Sequence, residues 1–87
     1  MAFTSVASAA ADTQLLAEGS TRGGLIIVNT DANRLYVKFD STAATSSSYS
    51  FYLDTGDVAG PFSYTGEVRG IWAADGSGAA LVTSWGR

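Results

Sequence analysis

The sequence predicts an all-β fold, either a compact antiparallel β-sandwich or a small jelly-roll-like barrel of about six to eight short strands. Turn-forming groups of Gly, Asp, Asn and Ser recur every ~8–12 residues, which is the spacing typical of such folds. Several segments between these turns alternate apolar and polar residues, as strands with one buried face do. The 87 residues are enough for one domain, which we place at residues 12–87, after an extended N-terminal arm at residues 1–11.

Residues 1–11 are small and weakly patterned, although Thr4-Ser5-Val6 favours an extended chain. We expect an arm that becomes ordered by docking on a neighbour, with an edge strand of the same domain as the alternative. This segment lacks the basic start and strongly apolar middle of a signal peptide, so we expect an unprocessed protein made in the cytoplasm. No apolar run approaches the ~18 residues of a transmembrane helix.

Residues 12–18 fit a strand with Thr13, Leu15 and Ala17 on one face, or a single helical turn. We favour the strand because isolated helices this short are unstable. A turn at residues 19–24 then leads into the densest apolar run, residues 25–28, which is consistent with a strand covered on both faces.

The next strand follows a polar turn at residues 29–33. It alternates cleanly, with Leu35, Val37 and Phe39 on one face and Tyr36 and Lys38 on the other. Two strands joined by a short polar turn are expected to pair as an antiparallel hairpin. We predict this hairpin to be the centre of the sheet.

The second half of the chain is predicted to contain three more strands. A polar loop without a core residue spans residues 40–48, and residues 49–53 then alternate with Tyr49, Phe51 and Leu53 pointing inward. Residues 54–57 form a turn, and residues 58–64 form an irregular connection that contains the single proline, Pro61.

The last two strands are predicted at residues 68–74 and 79–85. Gly70 within the first of them indicates a bulge or a close backbone approach. The intervening Asp75-Gly76-Ser77-Gly78 is typical of a hairpin turn.

Composition excludes several classes of function. The net charge is −3 and the five basic residues are scattered, so we expect no nucleic-acid partner and no membrane partner. The chain has no Cys and no His, which removes disulfides, thiolate metal sites and the usual base of Ser or Cys catalysis. We therefore predict no cofactor and no metal, and we expect a homo-oligomer because small domains without such staples often need one.

Asp54-Thr55-Gly56 matches the motif of homodimeric aspartic proteases, in which two carboxylates share a proton and activate water. Asp57 would place a second charge beside that pair and disturb it. Asp and Gly are also the residues that an ordinary turn needs. We therefore predict a non-enzymatic protein and keep the protease as a remote alternative. Asp31 and Asp75 also lie at predicted turns, without the spacing of a calcium loop.

Tyr36 and Tyr52 lie on the faces opposite to the inward residues of their strands. If such a face is not solvated, we expect it to be a subunit contact in preference to a ligand site. The alternative is a sugar-stacking platform of Trp72 and Trp85 with Tyr36, Tyr49, Tyr52 and Tyr64, and a carbohydrate-binding module would also use the loop at residues 41–48. The predicted interface residues are Phe3, Val6, Tyr36, Tyr52, Trp72 and Trp85.

Three segments, residues 22–30, 35–39 and 64–73, resemble small virion proteins of tailed bacteriophages. The shared pattern is an apolar strand ending in Asn-Thr, a short turn, a Tyr-Val strand, a Ser/Thr-rich loop and a late Gly-Xaa-Val strand, over about residues 20–85. The resemblance implies a β-sandwich on the capsid surface of a virion, where a decoration (cement) protein binds the major capsid protein. It also implies a trimer, because decoration proteins often lie on threefold axes. The alternative is a carbohydrate- or receptor-binding module of a phage tail or fibre.

Overall fold

The computed structural model describes residues 1–86, and all of its regular secondary structure is β-strand. The eight strands, in chain order, are β1 (Ala2–Ala7), β2 (Thr13–Leu16), β3 (Arg22–Asn29), β4 (Leu35–Lys38), β5 (Phe51–Leu53), β6 (Val58–Phe62), β7 (Val68–Trp72) and β8 (Ala79–Gly86). The predicted fold class and number of strands are therefore confirmed. Within residues 1–86 there is no helix with the length and hydropathy that a membrane span needs.

The strands form two four-stranded sheets with antiparallel pairing throughout. The first sheet has the order β1-β8-β3-β6, and the second sheet has the order β2-β7-β4-β5. This is the strand order of an eight-stranded jelly roll, in which two Greek keys form a sandwich. The structure therefore combines the two architectures that the sequence left open, because it is a β-sandwich with jelly-roll topology.

The core lies between the two sheets and is built from the alternate residues of each strand. Leu25 and Ile27 of β3 are fully buried, as are Leu35 and Val37 of β4. Trp72 of β7 is the largest fully buried side chain.

An aromatic cluster extends this core around Phe39, which was predicted to point inward. Its ring packs edge-on against Phe51 at 5.5 Å and Phe62 at 5.0 Å, and it stacks on Tyr64 at 4.5 Å. Aromatic pairs of this kind contribute about 0.5–1.5 kcal/mol each beyond the area they bury.

The hairpin predicted for residues 25–39 is wrong. β3 pairs with β6 and β8, whereas β4 pairs with β5 and β7, so the turn at residues 30–34 crosses from one sheet to the other. The physical reason is burial. Strands in opposite sheets stack and enclose each other's apolar residues, whereas the two strands of a hairpin lie side by side in one sheet and leave those residues uncovered. The turn at residues 73–78 likewise crosses between β7 and β8, so the second predicted hairpin is also wrong.

The N-terminal segment forms an edge strand, the alternative to the extended arm. β1 pairs with β8 in an unbroken register from Ala2↔Ser84 to Ala7↔Ala79. The residues that follow are also tied to the domain, because the Ala10 amide donates to Asp75 Oδ1 at 2.7 Å. The pairing satisfies the hydrogen-bonding groups along one edge of β8. Residues 1–11 are therefore part of the sandwich in this structure.

Two segments of the middle region differ from the predictions. Residues 58–62 form β6 instead of an irregular connection, and Pro61 is tolerated because β6 is an edge strand. Tyr49 was predicted to point inward, but it precedes β5 and is 40% exposed. The loop at residues 40–48 does contain a core residue, since Ala44 is buried.

Two other predictions are confirmed. Residues 13–16 form the strand β2, although Ala17 lies beyond it and is exposed. Gly70 marks a close approach, because a Cβ at this position would lie 2.8 Å from Leu15 Cδ1 and 3.1 Å from Leu35 Cδ1.

A buried amide, Asn29, joins the two sheets where β3 ends. Its Nδ2 donates to the carbonyls of Leu53 at 2.9 Å and Asn33 at 3.0 Å. Its Oδ1 accepts from the Trp72 indole and from the Asp31 amide, both at 3.1 Å. All four hydrogen-bonding positions of the amide are used, so a fully buried polar side chain is tolerated here.

Candidate functional site

Aromatic rings gather on the outer surface of the second sheet, on a patch that we call the tyrosine face: the exposed Tyr49 and Tyr52 and the half-buried Tyr36. Because side chains alternate along β4, Tyr36 points outward between the inward-facing Leu35 and Val37. The β4–β5 register places Tyr52 directly opposite Tyr36, with 6.5 Å between the ring centroids. The strand pairing itself therefore fixes two of the three rings.

The third ring, Tyr49, comes from the loop between β4 and β5. Its centroid lies 4.9 Å from that of Tyr36 and 6.5 Å from that of Tyr52. Tyr49 and Tyr52 are 40% and 46% exposed, so large parts of both rings remain accessible to a partner.

Several hydrogen bonds hold the loop that carries Tyr49. The Lys38 ammonium donates to the Thr42 hydroxyl at 2.8 Å. The Ala44 amide donates to Asp12 Oδ1 at 2.8 Å, and the Ser50 amide donates to the Val37 carbonyl at 2.7 Å. These anchors fix the position of the third ring, which lowers the ordering cost that binding would otherwise incur.

A half-exposed ion pair borders the tyrosine face. The Arg34 guanidinium carbon lies 4.1 Å from the Tyr52 ring centroid, and Arg34 Nε donates to Asp54 Oδ1 at 2.9 Å. This hydrogen bond raises the pKa of Arg34 above its ordinary value. Ion pairs that are exposed to solvent add little to stability, about 0–1 kcal/mol. We therefore interpret the Asp54 carboxylate as a group that positions the Arg34 guanidinium beside the Tyr52 ring.

The tyrosine face has the composition of a contact surface. Tyrosine and arginine are enriched among the residues that dominate binding energy in protein interfaces. A tyrosine side chain has two torsions, so it loses little conformational entropy when a partner covers it. The same rings offer an apolar body and a polar hydroxyl, which also suits stacking on a sugar.

Residues 1–86 contain no group of three or more carboxylates arranged to hold a metal ion.

The residues predicted for the interface do not form one surface. Tyr36 and Tyr52 lie on the tyrosine face. Phe3 is 66% exposed on β1, and its register partner Thr83 places it on the outer surface of the first sheet. The half-buried Trp85 is also on that surface.

The other two predicted interface residues point toward the interior. Trp72 is 1% exposed and donates its indole N–H to Asn29, so its assignment to an external surface is wrong. Its alternation with Val68 and Gly70 along β7 turns it inward, a signal that was present in the sequence. Val6 is half-buried and packs against the core.

The sequence pattern did not assign Arg34 or Asp54 to a contact surface. Tyr49 was included among the rings of the predicted sugar-stacking platform, but it was assigned to the inward face of its strand because the alternation of residues 49–53 extended the strand two residues too far. Asp54 was considered only as one of the turn carboxylates and as part of the protease motif. That motif lies in the β5–β6 turn, where Gly56 has a positive φ of 81° and the Thr55 hydroxyl donates to the Asp31 carbonyl at 2.8 Å.

Comparison with protein-family models, with curated proteins and with solved structures found no match to this chain.

Proposed function

We propose that this protein is a non-enzymatic structural component of a phage virion, a capsid decoration protein that binds the major capsid protein lattice through its tyrosine face. The jelly roll is used by viral capsid proteins, but also by lectins and cupins. Because a fold does not imply a function, the tyrosine face is the observation that carries the proposal.

The tyrosine face suits a contact that is repeated over a lattice. It presents rigid aromatic rings beside one guanidinium, on a sheet whose position is fixed by strand pairing. A patch of three tyrosine rings gives each copy a modest affinity for the capsid. A multivalent particle compensates for this, because many copies bind the same repeating surface and can contact each other.

Copy number is the first test of the proposal. We expect quantitative mass spectrometry of purified virions of the encoding phage to find this chain near parity with the major capsid protein. A few copies per particle would instead indicate the neck, tail or fibre. Absence from the virion would refute the proposal.

Binding to undecorated capsids tests the role of the tyrosine face. We expect Tyr52→Ser to raise the dissociation constant at least about tenfold, because an aromatic residue that dominates a contact contributes about 2 kcal/mol or more and about 1.4 kcal/mol is a factor of ten. Ser20→Ala, in the exposed loop between β2 and β3, is the control and should bind like the unmodified chain. Equal binding by all three proteins would place the contact elsewhere.

A carbohydrate-binding module of a tail or fibre is the second candidate. The platform of Trp72 and Trp85 is not available for it, because Trp72 is buried. The tyrosine face keeps three of the rings predicted for that platform, with Arg34 and Asp54 as polar groups at their border, and these rings still offer a stacking site. Binding to a glycan array that Tyr52→Ser abolishes would favour this function over capsid decoration.

The protease alternative is tested through Asp54. Its half-exposed carboxylate is engaged by Arg34, which favours a structural role for the residue. Peptide cleavage that is lost in Asp54→Asn would support the protease, whereas no cleavage by the unmodified chain would reject it.

A further inference from the structure

The outer surface of the first sheet carries no charged side chain among the described residues. Leu25 and Ile27 of β3 point inward, so Ile26 and Val28 point outward. The register places Thr83 and Leu81 of β8 beside them. The side chains that define this surface, which we call the uncharged face, are Phe3, Ser5, Ala7, Ile26, Val28, Val58, Ala79, Leu81, Thr83 and Trp85.

This surface differs from its counterpart across the sandwich. On the second sheet, the outward-facing Lys38 and Arg69 are register partners, and Arg69 forms ion pairs with Asp12 and Glu67. The first sheet has apolar residues on both of its sides. Sheets with two apolar faces are normally covered on both, because an antiparallel sheet that faces water carries polar residues there.

Two large apolar side chains lie at opposite edges of the uncharged face. Phe3 on β1 is 66% exposed, and Val58 on β6 is 63% exposed. Trp85 covers one end, where its ring packs over Gly24 so closely that a Cβ on Gly24 would lie 2.5 Å from Cζ2. The centre and both edges of the sheet therefore offer apolar surface to a partner.

We propose that two copies of this chain stack through their uncharged faces into a twofold dimer. A partner of opposite charge is not required, because the surface has no charged side chain to complement. The same patch on both copies makes a twofold contact without unpaired charges. This inference does not depend on the proposed virion function, since it concerns the other sheet.

The size of the face is sufficient for such a contact. Four strands of five to eight residues span a projected area of roughly 400 Å², at about 4.8 Å between strands and about 3.3 Å per residue. Protruding side chains expose more than the projected area, so two copies bury on the order of 1,000 Å², which is the lower bound for a specific interface. A domain this small and without cysteine gains stability from the added burial.

Sedimentation equilibrium between about 1 and 100 μM tests the dimer. We expect the unmodified chain to be dimeric, and we expect Leu81→Lys and Thr83→Lys each to raise the dimer dissociation constant at least about 30-fold. Tyr52→Lys, on the tyrosine face, is the matched control and should leave the dimer intact. Because Thr83 is a half-buried surface residue, Thr83→Lys still tests the dimer if Leu81→Lys does not fold.

Urea unfolding gives an independent readout. The unfolding midpoint of a dimer rises with protein concentration, and we expect this dependence in the unmodified chain but not in Thr83→Lys. A monomer at 100 μM, a trimer, or a dimer that both lysine variants leave unchanged would each overturn the proposal.

Discussion

Replacing Asn29 by alanine tests how strongly the buried amide joins the two sheets. The change removes four hydrogen bonds, including those to the Trp72 indole and the Leu53 carbonyl, both of them buried. A buried polar group left without its partner costs about 1–3 kcal/mol. Because at least two such groups lose their partner, we expect Asn29→Ala to lower the free energy of unfolding by about 3–5 kcal/mol. The total stability of a domain of this length is roughly 4–13 kcal/mol.

Urea unfolding followed by far-ultraviolet circular dichroism measures this loss. With a slope of about 1 kcal/mol per molar urea, the midpoint should fall by roughly 3–5 M. Gln14→Ala is the matched control, because its exposed amide donates to Glu67 at the surface and its truncation should cost less than about 0.5 kcal/mol.

A double-mutant cycle attributes part of the loss to a single contact. Combining Asn29→Ala with Trp72→Phe should reveal a coupling free energy of about 1–2 kcal/mol, because the two side chains share a buried hydrogen bond. A loss for Asn29→Ala no larger than that for Gln14→Ala would refute the reasoning, since it would mean that the buried groups find other partners at no cost.

Two further predictions concern the core and the pH dependence. Gly70→Ala should cost about 1–3 kcal/mol by forcing a methyl against Leu15, whereas Gly86→Ala, whose nearest contact is at 3.7 Å, should be near neutral in thermal unfolding. The amide of Asn33 donates to the Asp31 carboxylate at 2.9 Å and lowers the pKa of Asp31 below its ordinary value of 3.8. Because the folded-state pKa is lowered, this stabilisation is complete above the ordinary pKa and is lost as the pH falls through the folded-state pKa, below about pH 4. Asp31→Asn should therefore unfold more easily at pH 7 and show a shallower decline in acid; an unchanged acid decline would contradict the assignment.

The sequence alone determined the fold class and most of the inward-facing residues. Leu35, Val37 and Leu53 were identified by alternation and are buried in the structure. This succeeded because the direction of a side chain along a strand depends only on its neighbours in the chain. The outward positions of Tyr36 and Tyr52 followed from the same rule, whereas the close approach at Gly70 followed from the presence of a glycine inside a strand.

The sequence did not determine which strands pair. A polar turn such as residues 29–33 has the same composition when it closes a hairpin and when it crosses between two sheets. β1 finds its partner in β8, at the other end of the chain, and β3 lies between β8 and β6. Such pairings are decided by how the whole set of apolar faces can be enclosed, which no local pattern contains.

The candidate site shows the same division. Alternation placed two tyrosines outside, but only the β4–β5 register and the anchored loop bring Tyr49 beside them. Trp72 was assigned to a surface from its residue type, whereas the packing of the sheets encloses it with Asn29. Side-chain direction is therefore local and readable from the chain, while the grouping of side chains into a surface requires the tertiary structure, because it brings together residues that are distant in sequence.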